Sequence, residues 1–116
     1  MTVKEAIERF AFEALTLPDP DRKIAGGYCG DLLSWVMAHG KAGMAWITVQ
    51  THMNVIAVAS LMEMAAVIVP EGIEMEGPTL EKAREEGICV LQSEKTAFEL
   101  CALMAQAGLK GTPREE

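Results

Sequence analysis

Thr48-Val49-Gln50-Thr51-His52-Met53-Asn54 gathers hydroxyl, amide and imidazole groups into one short segment, between the apolar runs MAWI and VIAVASLMEM. Such groups donate and accept hydrogen bonds, and an imidazole can also move a proton near neutral pH. A second segment, Gly26-Gly27-Tyr28-Cys29-Gly30-Asp31, offers glycines where backbone can approach a ligand closely, followed by a carboxylate. The candidate ligand-binding residues are therefore Gly26, Gly27, Gly30, Asp31, Gln50, Thr51, His52 and Asn54. Asp31 and Thr51 each have a simpler use as a helix N-cap. One cap suffices to start a helix, so it is the density of polar groups around Thr51 that points to binding.

Other chemistries are weakly represented. Cys29 and His52 can approach one another across adjacent strand ends, but two ligands without a third do not make a zinc site, and no metal or cofactor is called for. The glycine segment matches neither the dinucleotide fingerprint nor a P-loop. Cys89 falls inside an apolar run and Cys101 on the apolar side of the last helix, where cysteine behaves as a small hydrophobe. His39, just before Gly40, suits a helix C-terminus. Neither a tuned carboxylate pair nor a nucleophile–base motif stands out, which favours a non-catalytic role.

The elements that must position these residues follow from periodicity. Val3, Ala6, Ile7 and Phe10 lie on one helix face, with Thr2 as cap, and a short strand ends before Pro18-Asp19-Pro20. RKIAGGYC reads as a strand running into a bend, and Asp31 caps the helix DLLSWVMAHG, ended by Gly40 or Gly43. MAWITV is a strand, and a helix runs from about His52 to Met64. AAVIV is a strand, TLEKAREE a helix closed by Gly87, ICVLQ a strand, and Ser93 caps the final helix. This alternation predicts an α/β fold, a three-layer α/β/α arrangement on a mainly parallel sheet of about five strands. In such a sheet the loops at the carboxyl ends of the strands share one edge, towards which helix N-termini point. Four loops meet there, the two segments above together with Pro70-Glu71-Gly72 and Gln92-Ser93-Glu94-Lys95.

Composition excludes several classes of function. A chain of 116 residues, 50% hydrophobic, makes one domain with a real core. Its net charge of −7, without a basic cluster, opposes nucleic acid and anionic membranes. No apolar run approaches the roughly 20 residues of a membrane span, and MTVKEAIERF is not a secretory signal. Three cysteines without C-x-x-C spacing fit a reducing, cytoplasmic setting. The helices carry more apolar residues than one face needs: Val55, Ile56, Val58, Leu61, Met62 and Met64 in one, and FELCALM in another. That excess, with eight methionines, predicts a homodimer or higher oligomer built on the 52–64 helix or the final helix, through residues such as Val58 or Leu103.

Several stretches together resemble a known family. GGYCGDLLSWVM, WITVQTHMNVIAVASL, AAVIVPEG, TLEKAREEGICVL and SEKTAFEL look like the stand-alone DRTGG-domain proteins of bacteria and archaea, over residues 1–109, with 110–116 a polar, disordered tail. The five letters D-R-T-G-G are absent as a string, with Asp21-Arg22 and Gly26-Gly27 nearby. That domain occurs beside nucleotide-sensing CBS domains and before phosphotransacetylase catalytic domains, and is similar to the N-terminal domain of HPr kinase. The resemblance implies a regulatory or ligand-sensing domain. The residues add a site for a small anionic metabolite or nucleotide, with protonation of His52 strengthening binding as pH falls. Two alternatives stand beside it: a small enzyme using His52 as acid–base with Asp31 or Cys29 assisting, and a protein-interaction subunit without ligand.

Overall fold

The computed structural model describes residues 1–111. The elements in chain order are α1 (Val3–Phe10), β1 (Glu13–Thr16), β2 (Gly26–Cys29), α2 (Leu33–His39), β3 (Met44–Ile47), α3 (Asn54–Leu61), β4 (Ala66–Val69), α4 (Gly77–Glu86), β5 (Val90–Gln92) and α5 (Ala97–Gln106). Five strands form one sheet in the order β1-β5-β4-β3-β2, all parallel except β1, which runs antiparallel to β5.

Strand period two divides the core cleanly. Ala45, Ile47, Ala66, Ile68 and Leu91 face α1 and α5, while Met44, Trp46, Val67, Val69 and Val90 face α2, α3 and α4. The central strands MAWI and AVIV are buried at every position, which explains their lack of polar alternation. Helices on both faces make the three layers that the alternation predicts.

Local signals set the ends of several elements. Thr2 and Glu5 form a reciprocal capping box at the start of α1, an arrangement worth about 1 kcal/mol. Gly87 closes α4 in the left-handed conformation at φ 67°, and Gly40 ends α2. The final helix differs from expectation, because its cap is Thr96, in a capping box with Glu99. Ser93 instead accepts a bond from the Lys95 amide. The strand read in RKIAGGYC is limited to its last four residues, and the helix read from His52 to Met64 is shorter at both ends.

The edge strand β1 depends on one side chain. Between Ala14 and Thr16 the register slips, and buried Thr16 bridges the gap, its hydroxyl donating to the Ile88 carbonyl at 2.6 Å and accepting from the Val90 amide at 2.8 Å. Thr16→Val keeps the shape but strands both partners, so urea unfolding should show a loss of about 1–3 kcal/mol. An unchanged midpoint would mean that β1 re-registers without it.

Much of the apolar excess on α3 is buried inside the monomer, although Leu61 is 72% exposed. This helix lies between α2 and α4, so Val55, Ile56, Val58 and Ala59 are buried against the sheet and both neighbours. Leu103 is likewise partly buried against the other core cluster. Neither Val58 nor Leu103 is an open contact surface. Of the final stretch read as a tail, Lys110 accepts a bond from the Gly27 amide at 2.9 Å, and 112–116 lie outside the described residues. No described helix is long and apolar enough to cross a membrane.

Candidate functional site

At the carboxyl edge of the sheet, the loop after β2 is locked onto β3. The Gly30 amide donates to the Ile47 carbonyl at 3.1 Å, and the buried Trp46 indole donates to the Gly30 carbonyl at 2.8 Å. Asp31 then reaches across: its Oδ1 accepts from the Thr48 hydroxyl at 2.9 Å and the Val49 amide at 2.8 Å. The Gln50 side-chain amide donates back to the Asp31 carbonyl at 3.0 Å. Asp31 is thus a staple between two loops. It is not the cap of α2, whose N-cap is Leu32, with no side-chain cap bond.

The next residues of the polar segment turn the other way. Thr51 donates through its hydroxyl to Glu76 at 3.2 Å, and its carbonyl accepts from the Thr79 hydroxyl at 2.6 Å, tying this loop to the start of α4. Thr51 therefore does not cap α3. That helix starts after Met53 with no side-chain cap, and His52 Nδ1 accepts from the Asn54 amide at 3.2 Å. With Nδ1 occupied as acceptor, a neutral His52 carries its proton on Nε2, free to donate. His52 and Asn54 are exposed, while Gln50 and Thr51 are half-buried.

The remaining two loops complete a continuous rim. The Glu71 and Gly72 amides donate to the Lys95 and Ser93 carbonyls, each at 2.8 Å, and Gln92 Nε2 donates to the Ile73 carbonyl at 2.7 Å. Gly72 is at φ 65°, the left-handed region that favours glycine, and a Cβ there would stand 2.6 Å from the Glu94 carboxylate, which would have to swing aside. The rim is rich in carboxylates, from Asp31, Glu71, Glu74, Glu76 and Glu94, beside the His52 imidazole and Lys95, whose ammonium donates to the Phe10 carbonyl at 3.4 Å.

Of the sequence candidates, Gly30, Asp31, Gln50, Thr51, His52 and Asn54 meet at this edge. Gly26 and Gly27 do not. They open β2, paired with Met44 and Ala45, at the opposite end of the strand from the rim. Gly27 lies under Met104 of α5, where an added Cβ would come within 3.5 Å. Cys29 does not turn towards His52 either; its thiol lies beside Cys101 of α5. Sequence reasoning missed Thr48 and Thr79 as rim-forming hydroxyls. Both are buried, and a threonine ending a wholly apolar strand was a signal for the first.

The same fold is found in a protein of known structure. No family model and no curated protein matches the chain. Among solved structures it is similar to the CBS and DRTGG domains of the regulatory region of Clostridium perfringens pyrophosphatase, crystallised with the activator diadenosine tetraphosphate, at a TM-score of 0.70 and 14% identity. The match covers 97% of this chain and 47% of that one. The shared property is the fold. This chain spans about half the length of that structure, whose name is that of a regulatory region and not of a catalytic one.

Proposed function

We propose that this chain is a non-catalytic regulatory domain of the DRTGG type that senses a small anionic metabolite or nucleotide at the carboxyl edge of its sheet and self-associates. The observation that carries the reading is the rim: four loops cross-linked by hydrogen bonds, with α2 and α3 both opening there without a side-chain cap. The Leu33 and Ser34 amides at the start of α2 offer donors and partial positive charge to an anionic group, whereas α3 contributes only the partial charge of its start, its first-turn amides being bonded to His52 and Met53. His52 Nε2 and the side-chain amide of Asn54 supply donors beside them. Further support comes from the shared fold, since that neighbour is the regulatory region of a pyrophosphatase bound to a dinucleotide activator.

The carboxylates of the rim set the terms of binding. A bare phosphate meets their repulsion, so a ligand must gain from neutral donors and contact area, or arrive with a divalent cation that screens it. Protonating His52 adds a favourable charge but takes Nδ1 out of its bond with the Asn54 amide. The two effects oppose one another, which tempers the gain at low pH that the sequence suggests. An acid–base role for His52 draws no help from Asp31, which is committed to Thr48 and Val49, or from Cys29, which lies beside Cys101.

A thermal-shift screen of nucleotides, dinucleoside polyphosphates and phosphorylated metabolites, with and without magnesium, tests the reading. A ligand at 100 times its dissociation constant adds about 2.7 kcal/mol of stability, a shift of several degrees. His52→Ala and Asn54→Ala should each remove at least half of that shift. A shift that survives both substitutions unchanged would place the ligand elsewhere.

A further inference from the structure

Cys29 closes β2, and Cys101 lies on the turn of α5 that faces it, one turn before Met104 and Ala105. Both cysteines line a cleft of about 180 Å3 between strand and helix, closed by Met104, Leu109 and Lys110. The two thiols are neighbours in this cleft, and Cys101 is among the groups that raise the Cys29 thiol. Cys29 is exposed and Cys101 half-buried, so a small reagent can reach the first and the first can reach the second. The third thiol is placed otherwise. Cys89 is buried next to β5, three strand spacings from β2 or about 14 Å across the sheet.

We infer that Cys29 and Cys101 form an intramolecular disulfide when the protein meets a low-molecular-weight disulfide, fastening α5 to the end of β2. The Cys29 thiolate attacks one sulfur of the small disulfide, and the other sulfur leaves as a thiolate. Cys101 loses its proton and attacks the Cys29 sulfur, expelling the second small thiol. Two electrons pass from the cysteine pair to the reagent, which ends as two thiols, and the protein loses two hydrogens.

The surroundings set the rate. Burial, the neighbouring Cys101 and the charge of Asp31 push the Cys29 thiol up to about 11; Tyr28 and Lys110 are the other ionisable side chains that line the cleft. Little thiolate exists at pH 7. The rate of capture should therefore rise about tenfold per pH unit from 7 to 9, whereas an ordinary exposed thiol levels off near 8.5.

The test is incubation of the full chain with oxidised glutathione at pH 7, 8 and 9, followed by counting of free thiols in denaturant and peptide mapping by mass spectrometry. The expected result is a fall from three free thiols to one, a peptide linking Cys29 to Cys101 and no retained glutathione. Cys101→Ser should keep glutathione on Cys29, Cys29→Ser should form no internal bond, and Cys89→Ser should behave as wild type. Glutathione retained on Cys29 of the wild type, a cross-link between two chains, or three thiols that stay free at pH 9 would each overturn the inference.

Discussion

Trp46→Ala should lower the free energy of unfolding by about 3–5 kcal/mol. Trp46 is fully buried in the second strand from the β2 edge, paired with Tyr28 on one side and Val67 on the other. Its ring fills the layer under α2, α3 and α4, so truncation leaves a cavity that a close-packed sheet cannot collapse. Among the described residues, the indole is also the one side chain that bonds the Gly30 carbonyl. Trp46→Phe separates the two roles: it keeps most of the apolar volume and strands that carbonyl, at a cost of about 1–3 kcal/mol. Urea unfolding followed by circular dichroism reads both. A loss below 1 kcal/mol for Trp46→Ala would contradict the packing described.

Leu32→Glu and Trp35→Glu should each weaken self-association about thirtyfold or more, the effect of a charge at the centre of an apolar contact. The reason lies in what the fold leaves uncovered. Leu32 is 66% exposed and Trp35 57%, with Val49 and Met53 exposed on the adjoining loop, so an apolar shoulder forms where α2 and α3 begin. Trp35 is already ordered by stacking on His39, ring centroids 4.0 Å apart, which reduces the entropy lost on contact. Because these side chains lie outside the core, monomer stability should change by no more than about 0.5 kcal/mol. Sedimentation at graded concentrations separates the outcomes. A wild-type chain that stays monomeric at high micromolar concentration removes self-association from the account.

The sequence made the architecture legible and left the partners of its polar groups hidden. Uninterrupted apolar runs at 44–47 and 66–69 could only be buried strands, and Thr2 with Glu5 marks a helix start by spacing alone. Asp31, Thr51 and Ser93 were all read as caps because each precedes a helix. A short polar side chain in that place has two choices, the local amide or a group on a neighbouring loop, and only the packed sheet decides. Asp31 and Thr51 took the long-range partner. For α5 the decisive clue was present, since Thr96-x-x-Glu99 is the capping-box pattern and Ser93 lacks it. That Val55, Ile56 and Val58 of α3 belong to the core was not legible because the position of the helix between α2 and α4 is not encoded in its own residues, while Leu61 of the same helix stays exposed. The meeting of Cys29 with Cys101 is a contact across 72 positions and follows from strand order, which local patterns do not contain.

The central claim is that ligand binds at the rim formed by the four loops. The most direct measurement is a titration of isotopically labelled protein with the strongest hit among the nucleotides and phosphorylated metabolites, following backbone amide resonances. Saturable shifts should concentrate on Leu32 to Ser34, Gln50 to Asn54 and Gly72, with little change at Gly27 or along α5. Shifts centred on the cleft between β2 and α5, or spread evenly without saturation, would contradict a binding site at the carboxyl edge of the sheet.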